Sequence, residues 1–145
     1  MNVHDEAKSR AEIVELLRRH RISPTQQRVE IAQIVLSKPQ HLSADEVLAL
    51  AHQRGSKVSK ATVYNTMGLF ARVGLVREVI VDPSKVFYDS NVSEHHHFYN
   101  LDTGELTDIP AGSVELGALP DLPHGTEAAG VDVIIRVRSR EAAGA

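Results

Sequence analysis

The chain has 145 residues, 42% hydrophobic and 24% charged, with no cysteine, which fits one or two small globular domains. No apolar run reaches the ~20 residues of a membrane-spanning helix, and the polar start Met1–Arg10 is unlike a secretory leader. The expected compartment is the cytoplasm, with no membrane partner. The lack of cysteine excludes disulfides, thiolate zinc sites and cysteine nucleophiles, so any metal must be held by nitrogen and oxygen alone. The net charge of −3 is uneven: up to Ser90 there are 13 basic and 10 acidic residues, from Asn91 onward 3 and 9. The basic part is the one suited to meet an anion such as nucleic acid.

In chain order, Ile13, Leu16, Leu17 and His20 recur at helical spacing. Ser23-Pro24-Thr25-Gln26 then offers a Ser cap, Pro at the first helical position and Gln three residues on. The helix it opens carries Val29, Ala32, Val35 and Leu36 on one face and ends by Pro39. Ser43-Ala44-Asp45-Glu46 is a capping box for a third helix with Val47, Leu50 and Ala51 inward, stopping near Gly55. Ser59 caps a fourth, Lys60–Val73, closed by Gly74. Runs rich in β-branched residues follow: Leu75–Val81, a turn at Asp82-Pro83-Ser84, and Lys85–Asp89. This order predicts a winged helix-turn-helix over residues 1–90. From Asn91 to residue 145 the pattern predicts a small α/β domain, making the whole chain α+β. It contains strands at His95–Leu101, Glu105–Ile109 and Val131–Val137, a turn at Asp102-Thr103-Gly104, and a short helix around Ser113–Leu119.

On the fourth helix Val63, Met67 and Phe70 form a core stripe. The opposite face, Ala61, Tyr64, Asn65, Gly68 and Arg72, alternates tiny residues with an exposed Tyr and Asn. Gly68 costs such a helix roughly 1 kcal/mol against Ala, and its bare backbone lets another surface approach. Asn pairs bidentately with adenine and an aromatic ring packs on a thymine methyl, so Tyr64 and Asn65 are the candidate base readers. Lys57, Ser59, Lys60 and Thr62 cluster at the helix start, where backbone N–H groups also favour phosphate. Arg77 and Lys85 on the hairpin are candidates for the flanking backbone. A winged helix used only for protein contacts is the alternative, since fold does not fix function.

His95-His96-His97 is the chain's densest cluster of metal-ligand side chains. Alternation along a strand sends His95, His97 and Tyr99 to one face and His96 and Phe98 to the other, so the three cannot all hold one ion. A nitrogen/oxygen site for Fe, Mn or Zn can be built on His97, with His95 a further candidate ligand. A metallohydrolase is disfavoured, for there is no His-Glu-x-x-His pair and no second acidic base in the segment. His4, His20, His52 and His124 are read as surface, capping or loop residues, and Asp102, Glu105 and Asp108 as a solvated hairpin.

Taken together, His20-Arg21-Ile22-Ser23-Pro24-Thr25-Gln26-Gln27-Arg28, Ala61-Thr62-Val63-Tyr64-Asn65-Thr66, Gly74-Leu75-Val76 and His95-His96-His97-Phe98 resemble the ferric uptake regulator superfamily. The resemblance runs from about Glu12 to Arg138. Within it, Val86-Phe87-Tyr88-Asp89, His97-Phe98-Tyr99-Asn100-Leu101-Asp102 and Val131–Arg138 are most similar to the iron response regulator branch. The resemblance implies a homodimeric transcription factor on AT-rich, inverted-repeat double-stranded operators, dimerised through its C-terminal sheet. It implies a sensory site at His41, Asp89 and His97, with Tyr99 where a histidine is usual. A second site at His96 and Glu115 lacks its acid, replaced by Phe98, and its late histidine. Cysteine-bound structural zinc is absent. Likeness to the iron response regulators implies haem sensed through His95, His96 and His97, any second axial ligand coming from another element such as His41 or His124. The alternative is an ordinary repressor of this superfamily, activated by Fe(II) or Mn(II).

Overall fold

The computed structural model describes residues 8–93 and 95–140; His4 lies outside them. The chain forms two compact units, Met1–Val92 and Ser93–Ala145.

In the first unit, α1 (Arg10–Arg19) starts where the Ser9 hydroxyl accepts from the Glu12 N–H, and buries Ile13 and Leu17. It ends at His20, whose Nδ1 lies 2.9 Å from the Leu16 carbonyl, the capping role expected of it. α2 (Gln26–Val35) is capped by Thr25, not Ser23. Thr25 keeps an extended backbone (ψ 158°) and its hydroxyl accepts from the Arg28 N–H, so Pro24 precedes the helix instead of opening it. The two-residue strand β1 (His41–Leu42) follows, too short to leave a periodic signal. α3 (Ala44–Gln53) carries the predicted Ser43/Glu46 capping box. α4 (Lys60–Arg72) is capped by Ser59 and followed at Gly74 by a positive φ of 79°, the left-handed turn that glycine adopts without strain.

Val29, Val47, Val63, Met67 and Phe70, all fully buried, form the core with Ile13 and Leu17; each large apolar side chain so buried is worth about 1.5–3 kcal/mol. β2 (Arg77–Asp82) and β3 (Lys85–Asp89) make the hairpin, and β1 adds to its other edge in the order β1-β3-β2. Register across this sheet pairs His41 with Asp89 on one side and Arg77 with Asp89 on the other.

The second unit is a three-stranded sheet, β4 (His97–Asn100), β5 (Leu106–Asp108) and β6 (Ile134–Val137), in the order β5-β4-β6. β5 runs antiparallel to β4 and β6 parallel. Two expectations are corrected here. The strand begins at His97, leaving His95 and His96 in the approach to it. No helix forms around Ser113–Leu119; seven residues holding Gly117 and ending at Pro120 are too few to sustain an isolated helix. The overall α+β class, helices and a wing followed by a small sheet, is as expected, and no helix among the described residues is long and apolar enough to cross a membrane.

Candidate metal centre and nucleic-acid face

Asp89 ends β3 in the middle of its sheet and is 1% exposed. One carboxylate oxygen accepts from the Asn91 N–H at 2.9 Å, and the other lies 3.0 Å from Nε2 of His41. The sequence brings them together because His41 and Asp89 are direct cross-strand neighbours, which places side chains on the same face within reach. A buried carboxylate with an imidazole nitrogen against it is half of a nitrogen/oxygen site.

The second unit builds a similar group. His97 and Tyr99 of β4 are buried while Phe98 and Asn100 are half-buried, the predicted alternation. His97 is paired in register with Asp108 of β5. Nε2 of His95 lies 3.2 Å, and Nε2 of His97 3.4 Å, from the same oxygen of Asp108, with the two rings 4.5 Å apart. Asp108 is therefore not simply a solvated hairpin residue. The observed register loops out four residues, Leu101–Gly104, and so sets Asp108 opposite His97; symmetric pairing across the expected three-residue turn at Asp102-Thr103-Gly104 sets Ile109 there instead. The imidazole beside His97 comes from His95, two residues earlier. His96 is separate, its Nδ1 accepting from the Val133 N–H at 3.0 Å.

The chemistry of this donor set fits a cation. Nδ1 of His95 lies 2.6 Å from the Ser93 carbonyl, which can only accept, so the ring proton sits there. Nε2 then faces a carboxylate oxygen, an arrangement satisfied by a second ring proton or by a cation between the two. An imidazole held through its other N–H by a backbone carbonyl is the usual orientation of a metal-ligating histidine. Donors bound at ~2.0–2.1 Å in a four-coordinate shell lie roughly 3.3 Å apart, the separation seen here. His124 sits in an exposed turn, and Nε2 of His52 meets the Val58 carbonyl at 2.8 Å. Neither belongs to either group.

Most of the expected nucleic-acid residues lie at or near the start of α4 in the first unit. Lys57, Ser59, Lys60, Tyr64 and Asn65 are exposed and Thr62 half-buried. Thr62 completes the cap of α4, its N–H donating to the Ser59 hydroxyl. An added Cβ at Gly68 would meet nothing within 4 Å, so this face is open. Arg77 is set apart: it lies at the end of the hairpin away from the turn, opposite Asp89. Lys85 is the hairpin cation next to the turn. Sequence reasoning missed Asp45, whose carboxylate accepts from the Tyr64 hydroxyl at 2.9 Å and lies 3.7 Å from Nζ of Lys60.

A winged helix with an exposed, polar fourth helix, followed by a sheet bearing a histidine/carboxylate group, defines the class. Residues 19–118 match the model of the ferric uptake regulator family. The chain belongs to that family, whose members are transcription regulators and not enzymes. It is 32% identical over 99 residues to a ferric uptake regulation protein of Synechococcus elongatus, covering 65% of this chain and 67% of that one. It is 29% identical over 98 residues to the peroxide-responsive repressor PerR of Staphylococcus epidermidis, covering 68% of this chain but only 65% of that relative's length. Its fold is similar to that of the ferric uptake regulator of Pseudomonas aeruginosa solved with manganese, with a TM-score of 0.64 at 24% identity over 88% of this chain and 97% of that one. The relatives' names do not support the narrower likeness to iron response regulators or a haem signal.

Proposed function

We propose that the chain is a metal-responsive transcription regulator that binds an operator as a homodimer and takes a divalent cation, not haem, as its signal. The observation that carries this is the meeting of the His95 and His97 nitrogens on one oxygen of Asp108, with His95 oriented by the Ser93 carbonyl. In the first unit the resemblance assigns His41 and Asp89 as ligands too, and their donor atoms lie 3.0 Å apart, a nitrogen/oxygen pair of the kind that Fe, Mn or Zn takes.

The cation, when bound, supplies a positive charge that these imidazoles and carboxylates hold, and any conformation of the chain that engages it better gains population by the difference in affinity. Two axial ligands of a haem approach from opposite sides of its ring, whereas His95 and His97 converge on one oxygen of Asp108 and His96 is engaged with Val133.

On DNA, Tyr64 and Asn65 read base edges of an AT-rich inverted repeat, while Lys57, Ser59, Lys60 and Thr62 hold phosphates at the start of α4. Arg77 and Lys85 are assigned to backbone contacts of the wing, Lys85 being the better placed. The test is operator binding by the metal-free chain, repeated with Mn(II) and with haem. Mn(II) is expected to tighten binding about tenfold or more, within the usual range of allosteric coupling, and haem to leave it unchanged. Weakening by haem with no response to Mn(II) returns the chain to the iron-response reading. Binding that is insensitive to salt and sequence overturns the DNA assignment.

A further inference from the structure

Asp45 is an acidic residue on a face otherwise suited to meet phosphate. It lies in the first turn of α3, outside the Ser43/Glu46 capping box that holds that turn together, and its side chain is 65% exposed. α3 does not need it as a cap. What it touches is α4: the Tyr64 hydroxyl donates to it at 2.9 Å, Nζ of Lys60 lies 3.7 Å from the same oxygen, and that Nζ stands 5.5 Å from the centre of the Tyr64 ring. One carboxylate therefore engages a proposed base reader and a proposed phosphate grip at once.

We infer that Asp45 is a specificity-determining positioning residue, which holds the Tyr64 ring ready for base contact while suppressing attachment to phosphate without sequence match. This rests on the DNA-binding reading given above. Two physical effects act in one group. The hydrogen bond fixes the direction of a ring that is 43% exposed and otherwise free to choose among rotamers, lowering the entropy lost when it docks on a base. The hydrogen bond to Asp45, followed by partial desolvation, also raises the Tyr64 pKa above the ordinary tyrosine value, so the hydroxyl stays a donor. The negative charge meanwhile offsets Lys60 and repels phosphate, and phosphate contacts supply nearly all sequence-independent affinity. An acid that penalises every sequence while favouring the matched one raises the difference between them, which is what specificity is.

The experiment uses the full chain with Mn(II) and two duplexes: an AT-rich inverted repeat selected by the wild-type chain from a randomised pool, and a scrambled duplex of equal composition. Asp45→Ala is expected to weaken binding to the selected duplex and strengthen binding to the scrambled one, lowering their ratio about tenfold, the scale of one base contact. Asp45→Asn keeps an oxygen that accepts from Tyr64 but removes the charge. It is expected to restore affinity for the selected duplex while scrambled binding stays raised. If both variants strengthen binding to the two duplexes equally, Asp45 acts by repulsion alone and the inference fails. It fails also if Asp45→Ala changes neither. A wild-type chain that selects no duplex overturns the DNA-binding reading and this inference with it, whereas a selected-to-scrambled ratio left unchanged by Asp45→Ala overturns the inference alone.

Discussion

In the first unit the histidine–carboxylate pair buries its acid: the side chain of Asp89 is 2% exposed and that of His41 15%. In the second unit the imidazole is sealed, with His97 at 0% and Asp108 at 52%. Both pairs arise from the same local device, direct opposition on antiparallel strands. Shared geometry thus gives both pairs the donors for a cation, but burial decides what else each residue does. A buried carboxylate stripped of its partner, or a partner stripped of its carboxylate, costs several kcal/mol, whereas an exposed ion pair contributes little. Asp89, itself buried, should carry the larger share of stability; Asp108, exposed but set against a buried imidazole, should carry less.

The largest effect is therefore expected for Asp89→Ala. It removes the acceptor for His41 and for the Asn91 N–H and should lower stability in urea by about 3 kcal/mol, with Mn(II) binding lost as well. A variant as stable as wild type would show that the buried carboxylate is not anchoring its sheet. Asp108→Ala leaves the buried His97 imidazole without this carboxylate and should cost about 1–2 kcal/mol of stability, less than Asp89→Ala. In calorimetric titration its Mn(II) affinity should nevertheless fall about tenfold or more, the scale of losing an oriented ligand or its immediate support. An unchanged affinity would remove Asp108 from the proposed site and leave the second unit with imidazoles only.

The first unit was the more legible half in sequence. Its helices announce themselves through Ser43, Glu46, Ser59 and Gly74, because caps and apolar periodicity are local signals. The Ser23/Thr25 error shows the limit of that logic: two hydroxyl residues flanking Pro24 both satisfy the pattern, and backbone geometry chose the later one. β1 was invisible because two residues carry no period, although it places His41 beside Asp89. In the second unit, His97 and its alternation with Phe98 were legible, but Asp108 depended on register across a turn, and the Ser113–Leu119 helix was expected only from the room left between Pro110 and Pro120, a stretch too short to sustain it. Leu116, Leu119 and Leu122 are instead about half exposed. The reading face of α4 could be placed from its wheel, yet Asp45 could not, since a contact between helices 19 residues apart leaves no periodic trace.

The smallest effect is expected from the third member of the triplet. His95, His96 and His97 are consecutive and chemically identical, so any role given to composition alone would treat them as equivalent. Strand alternation and the hydrogen bonds separate them: His95 and His97 meet Asp108, while His96 holds the Val133 N–H in the approach to β6. His96→Ala should cost about 1 kcal/mol of stability, the value of one partly buried hydrogen bond. It should alter Mn(II) affinity by less than about twofold, under ~0.5 kcal/mol. His95→Ala should do the reverse, weakening Mn(II) binding with little loss of stability, because it lies outside the strand. If His96→Ala lowers Mn(II) affinity as far as His95→Ala does, the triplet works as one unit and the division by strand face does not govern ligand binding.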